Sequence, residues 1–229
     1  MNHQLLLLAA IAIALIAAAW HRQRSSKGTY DACYNPLVNE PRDFTNEQEA
    51  REWLDAEFGA WAQALTAEQR DALRSYKGLA YQEINEAART GFERPEQALL
   101  DAAIEAHTLT ESVVAYRGLV DPDAGLHLLY EGDEITDDGY WSLALLQHTA
   151  VEFTTAATRP ETAIVLRVAL DAGVHAIRAA APDQVEDMHE NELLLARGSR
   201  FRLADDPVLQ PVAETGGRGH YIIDVEVST

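Results

Sequence analysis

Apolar positions fall into three textures along the chain. Residues 5–20 form an unbroken apolar run without a single charged side chain. From Thr45 onward, apolar residues recur at three- and four-residue intervals, as in helices that bury one face. Leu54, Phe58, Trp61 and Leu65 line the first such helix, expected to start near Thr45, where Thr45 and Gln48 have capping-box spacing. Thr66 is placed to cap a second helix, with Leu73, Tyr76, Ala80, Ile84 and Ala88 on its apolar side and Gly91 at its end. Pro95 suits the first turn of a third, which carries Leu99, Leu100 and Ile104. Beyond Ser112 the period shortens, and residues 113–117, 139–142, 164–168, 193–195, 201–203 and 221–227 read as strands. Gly216-Gly217-Arg218-Gly219 reads as a hairpin loop, since no strand and helix flank it as in a phosphate-cradling loop. Helices first and strands afterwards predict an α+β fold, preceded by a hydrophobic N-terminal segment.

That N-terminal run is near the lower length limit for a bilayer-spanning helix. It is either a membrane anchor or the apolar region of a signal peptide, and Ala17-Ala18-Ala19 would suit a signal peptidase. Met1-Asn2-His3-Gln4 has no Lys or Arg, whereas Arg22 and Arg24 follow the run at once. Under the positive-inside rule this polarity favours an anchor that holds the C-terminal body in the cytoplasm. The membrane is then a partner through residues 5–20, and cleavage would instead release the chain to the extracellular region. Residues 1–20 are thus the hydrophobic segment, 21–43 a linker, and 44–229 the folded domain.

Charge narrows the partners further. The chain carries a net −19, and removing the three cations of its first 28 residues leaves the remainder at −22. Such a body does not suit nucleic acid and favours basic protein surfaces. The single Cys33 rules out an intrachain disulfide framework, and the eight histidines show no zinc-ligand spacing, so no metal is expected.

Two features carry candidate chemistry. Arg117 ends a strand of otherwise apolar residues, where a guanidinium needs a partner, either a structural carboxylate or a phosphate. Glu190 and Glu192 precede Leu193, Leu194 and Leu195. In extended backbone such a pair would point to the same side, with Cα atoms roughly 6–7 Å apart.

A wider set of motifs decides between these readings. Leu65-Thr66, Tyr76, Tyr81, Ile84-Asn85 and Arg89 come first, and then Tyr116-Arg117-Gly118. Gly132-Asp133, Ile135 and Gly139-Tyr140-Trp141-Ser142 follow, and Glu190-Asn191-Glu192 through Arg200-Phe201 closes the series. In order and spacing this resembles the arginine-specific Arg-Ser-Glu class of ADP-ribosyltransferases, above all the enzymatic components of clostridial binary toxins and their insecticidal relatives. The resemblance spans residues 44 to 227. It implies helices packed on a two-sheet β core and an enzyme that moves ADP-ribose from NAD to an arginine of a target protein, as in a bacterial toxin or effector.

By that resemblance Arg117 holds the NAD phosphates, Glu192 is the catalytic carboxylate, Glu190 is its upstream partner, and Ser142 positions the carboxylate. Asn85 and Arg89 match helix residues that contact the dinucleotide, and Phe153 matches the aromatic that packs on nicotinamide. One departure stands out: Ser142-Leu143-Ala144 replaces the family's Ser-Thr-Ser. It keeps two alternatives open, an NAD glycohydrolase that uses water as acceptor and a silent membrane-anchored binding protein with the same fold. The residue types suit the chemistry. Cleavage of the nicotinamide–ribose bond builds positive charge on the ribose, which a fixed carboxylate stabilises. A target arginine, with a pKa of about 12.5 or higher, needs a second carboxylate to orient it and help take its proton.

Overall fold

The computed structural model describes residues 40–119, 135–154, 164–182, 184, 191–204, 208–210 and 220–228. The run at 5–20, residues 21–39 of the linker, His189, Glu190 and the loop at 216–219 lie outside them. Among the described residues no helix is long and apolar enough to cross a membrane.

Helix α1, Glu47–Ala64, buries Ala50, Trp53, Leu54, Phe58 and Trp61. Its cap is Asn46, one residue later than expected. Asn46 has extended backbone, and its side chain accepts the Glu49 N–H at 2.8 Å. Helix α2, Ala67–Ser75, opens with the full capping box of Thr66 and Gln69. The single helix expected from Thr66 to Gly91 is broken. The helix kinks within Tyr76–Ala80, where Gly78 leaves the helical region (φ −78°, ψ −130°), and α3, Tyr81–Arg89, restarts beyond it. Glycine takes that detour at low cost, whereas apolar spacing does not reveal such a kink. Gly91 ends α3 at φ 70°, as expected. Helix α4, Pro95–Glu105, carries its proline in the first turn and buries Gln97, Leu100, Ala103 and Ile104.

The strands follow: β1 (Val113–Leu119), β2 (Ile135–Asp137), β3 (Trp141–Ala144), β4 (Ile164–Leu170), β5 (Ala176–Arg178), β6 (Glu192–Leu195), β7 (Ser199–Leu203), β8 (Val208–Gln210) and β9 (His220–Ser228). They pair in the order β2-β7-β9-β4-β1-β3-β6-β5, with β8 also on β9. Among the described strands β4 and β9 run parallel and the other pairs antiparallel. The two expected sheets meet at a single register pair, Tyr116↔Ala144 between β1 and β3, so the hydrogen-bonded network is continuous. By contrast β1 pairs with β4 from Val113↔Leu170 to Leu119↔Ile164.

Alternation along β1 separates two cores. Val113 and Ala115 join Leu54, Phe58, Leu73, Ile84, Leu100 and the β6 leucines in the main cluster. Val114 and Tyr116 pack with Val165 and Ala150 on the other side. That side is covered by α5 (Gln147–Thr154), which was not expected from the sequence because Gln-His-Thr-Ala-Val-Glu-Phe-Thr carries no clear apolar stripe. Gly118 makes the close approach possible: a Cβ there would stand 2.1 Å from the Ala150 carbonyl oxygen.

Candidate active site

The seam between the two halves of the sheet gathers the charged residues. Arg117 lies one residue past Tyr116, and its Nη1 donates to the Ser142 carbonyl across the seam at 2.9 Å. Its guanidinium carbon sits 4.8 Å from the Trp141 ring centroid, and Trp141 in turn stacks on Phe201 at 3.8 Å. Loss of water pushes Arg117 below the ordinary arginine range, which Tyr76, Asp137 and Glu192 oppose and Arg89 reinforces.

Asp137, at the end of β2, ties this corner to helix α3. It accepts from Arg89 Nε and Nη2 at 2.8 Å each, from the Gly139 N–H at 2.8 Å and from Trp141 Nε1 at 2.7 Å. Burial would raise the Asp137 carboxyl, but the donors from Arg89, Gly139 and Trp141 outweigh it and hold the group below its usual range. Asn85 fixes the next layer. Its Nδ2 donates to the Tyr76 hydroxyl at 3.1 Å and its Oδ1 accepts the Tyr140 N–H at 2.8 Å.

Glu192 opens β6, directly opposite Ala144 of β3. Its Oε2 accepts from Lys77 Nζ, which lies in the kinked segment between α2 and α3, and the two side chains are only 10% and 11% exposed. Burial pushes the neighbouring Tyr76 phenol upward, and the charges of Arg117, Glu192 and Arg89 all act on it. Cation, carboxylate and aromatic therefore share one environment. The residue before Glu192 departs from expectation. Asn191 sits at φ 43°, outside the extended region. Asparagine tolerates this left-handed conformation better than most residues. The Asn191 carbonyl still accepts the Leu145 N–H at 2.9 Å, while its buried amide finds no partner among the described residues.

Comparison with known proteins gives this arrangement a family. The ADP-ribosyltransferase exoenzyme family model matches residues 50–228. The chain belongs to that family. NAD is the substrate from which its members take ADP-ribose. None of the curated proteins matches the chain. Among solved structures, Plx2a, an ADP-ribosyltransferase toxin from Paenibacillus larvae, is 20% identical with a TM-score of 0.63 over 82% of this chain and 100% of its own. C3stau2 from S. aureus with NAD is 19% identical, TM-score 0.63, over 83% and 100%. The enzymatic component C2-I of the Clostridium botulinum C2 toxin is 20% identical, TM-score 0.63, over 82% of this chain and 50% of its own. At these identities the likeness is one of fold.

Within this ADP-ribosyltransferase fold the expected residues are brought together unevenly. Arg117, Glu192, Ser142, Asn85 and Arg89 converge on the seam, Ser142 through its backbone carbonyl. In β3, Ser142 stands opposite Leu194 and not opposite Glu192. The functional groups of Asn85 and Arg89 are engaged by protein partners. Phe153 lies on α5 and is 43% exposed, so it is no core residue. Glu190 is outside the described residues. Sequence reasoning missed Lys77 and Asp137. The unmet need of Arg89 for a carboxylate could have pointed to Asp137, but no period or spacing in the sequence marks Lys77.

Proposed function

We propose that the chain is an NAD–protein-arginine mono-ADP-ribosyltransferase, with Glu192 acting at the nicotinamide–ribose bond. The observation that carries this reading is a half-buried guanidinium on β1 and a nearly buried carboxylate on β6 flanking the same seam. Arg117 has the planar fork that suits a diphosphate, and holding the diphosphate sets the reacting geometry. The nicotinamide–ribose bond breaks with its electron pair leaving on nicotinamide, and Glu192, hydrogen-bonded to a ribose hydroxyl, opposes the positive charge left on the sugar. A nitrogen of the target guanidinium then bonds to that carbon and gives up a proton, which Glu190 helps take. Ser142 aligns the site from β3, Asn85 and Arg89 shape the dinucleotide-facing helix, and Phe153 packs on nicotinamide.

The net charge of −19 suits a target with an accessible arginine on a basic surface. Residues 5–20, followed by Arg22 and Arg24, would hold the domain at a membrane with the body in the cytoplasm. If that segment were a cleaved signal, the chain would act outside the cell as a toxin or effector.

Nicotinamide release, measured with and without an arginine-rich acceptor protein, tests the assignment. Glu192→Gln abolishes both release and transfer, whereas Glu190→Gln still releases nicotinamide slowly to water and loses transfer. Release by Glu192→Gln at the wild-type rate would sink the reading. Release without any transfer makes the chain an NAD glycohydrolase. No release at all makes it the silent binding protein, the outcome that Ala144 opposite Glu192 favours.

A further inference from the structure

A carboxylate that acts on one ribose must be aimed, and strand β3 offers it little. Directly across from Glu192 is Ala144, which has no hydrogen-bonding side chain. Leu143 belongs to the main core and is fully buried. Ser142 faces Leu194, one pleat further along. The nearby cations are engaged elsewhere: Arg117 by the Ser142 carbonyl and the Trp141 ring, Arg89 by Asp137.

We propose that Lys77 is the positioning residue for Glu192, its ammonium aiming the carboxylate where a β3 hydroxyl is missing. This rests on the reading that Glu192 acts on NAD. Lys77 Nζ donates to Glu192 Oε2, and both side chains are almost wholly removed from water. The element that presents Lys77 is well anchored. Tyr76, its neighbour, donates to the Tyr140 carbonyl at 3.4 Å, accepts from Asn85 Nδ2 at 3.1 Å and packs edge-on against the Tyr140 ring. The kink at Gly78, next to Lys77, interrupts the helix where Lys77 must reach β6. A carboxylate accepts at about four sites, so a bond to an ammonium does not by itself exclude a ribose hydroxyl. A charged pair this buried is costly to desolvate and is poor evidence for a purely stabilising role.

Kinetics of nicotinamide release by the full chain test this, with Lys77→Met, Lys77→Arg and the double variant Lys77→Met/Ala144→Ser. Lys77→Met lowers kcat by roughly 10- to 100-fold, the scale of a misplaced reacting group, while KM for NAD stays within about threefold. Lys77→Arg keeps most of the turnover. The double variant regains part of it, because a serine opposite Glu192 can donate to the carboxylate across the strand pair. Unchanged or faster turnover in Lys77→Met overturns the proposal and makes the ion pair a latch that substrate must open. A rise in KM with kcat preserved also overturns it, since Lys77 would then touch NAD itself. So does failure of both Lys77→Arg and Ala144→Ser to restore turnover. If Lys77→Met does not fold, Lys77→Gln carries the same measurement. Glu192→Gln run alongside separates the two ideas. If it still cleaves NAD, the assignment of Glu192 fails; if it is dead while Lys77→Met is unimpaired, only the role of Lys77 fails.

Discussion

Arg117 sits in a seven-residue strand paired along its length to β4, whereas Glu192 opens a four-residue strand just after a left-handed residue. The contacts around them differ in the same way. Arg117 meets a backbone carbonyl and an aromatic face, and behind it Asp137 collects donors from Arg89, Gly139 and Trp141. Glu192 accepts from an ammonium on a kinked helical segment, and beside it lies a buried amide without a partner among the described residues. One corner is fixed redundantly by sheet and ring. The other stands on a short strand and a kinked helical segment, so single substitutions there change aim more than stability.

Three substitutions probe this contrast, from the largest expected effect to the smallest. Gly118→Ala attacks the redundant corner through the backbone. The new methyl would meet the Ala150 carbonyl oxygen at 2.1 Å, so α5 must move off β1. Overpacking of this kind costs about 1–3 kcal/mol or more. For a domain of this size the melting temperature falls by roughly 5 °C or more, and turnover falls with it. A melt within a degree of wild type would mean that α5 is not closely seated on the strand.

Asn191→Val and Asn191→Gly form the second probe, at the sparsely held corner. Valine is strained at φ 43° and costs about 1–3 kcal/mol. It also re-aims the start of β6, so nicotinamide release slows more than the melt suggests. Glycine adopts the same backbone freely and removes the unpaired amide, leaving stability unchanged or slightly higher. Equal melts for the two variants would show that strain at Asn191 is not what orients Glu192.

Ser142→Ala is the mildest. The Ser142 contact with Arg117 runs through its carbonyl, which alanine keeps. Turnover drops by less than about tenfold, and by less than in Lys77→Met. The reverse order would return the task of positioning Glu192 to the hydroxyl and away from the lysine.

Much of this molecule was legible before any coordinates. Periodic apolar residues marked α1, α2 and α4, because burying one helical face demands that spacing, and Leu54, Phe58, Leu73, Leu100 and Ile104 are all fully buried or nearly so. The longer strands showed for the same reason, and the motifs around Arg117 and Glu192 identified the candidate chemistry. The three-residue strands β2, β5 and β8 and the helix α5 escaped, since so short a segment has too few positions to display a period. Tertiary structure alone decided how the site is built. Lys77 and Glu192 are 115 positions apart, and Arg89 and Asp137 are 48 apart. Such pairs depend on the register at which β3 meets β6 and on the detour at Gly78, neither of which leaves a trace in hydrophobic spacing. The sequence determines which side chains can carry charge and which must be buried. Which charges meet is decided by strand register and by one irregular turn, where a shift of a single residue would send Glu192 to the opposite face of the sheet.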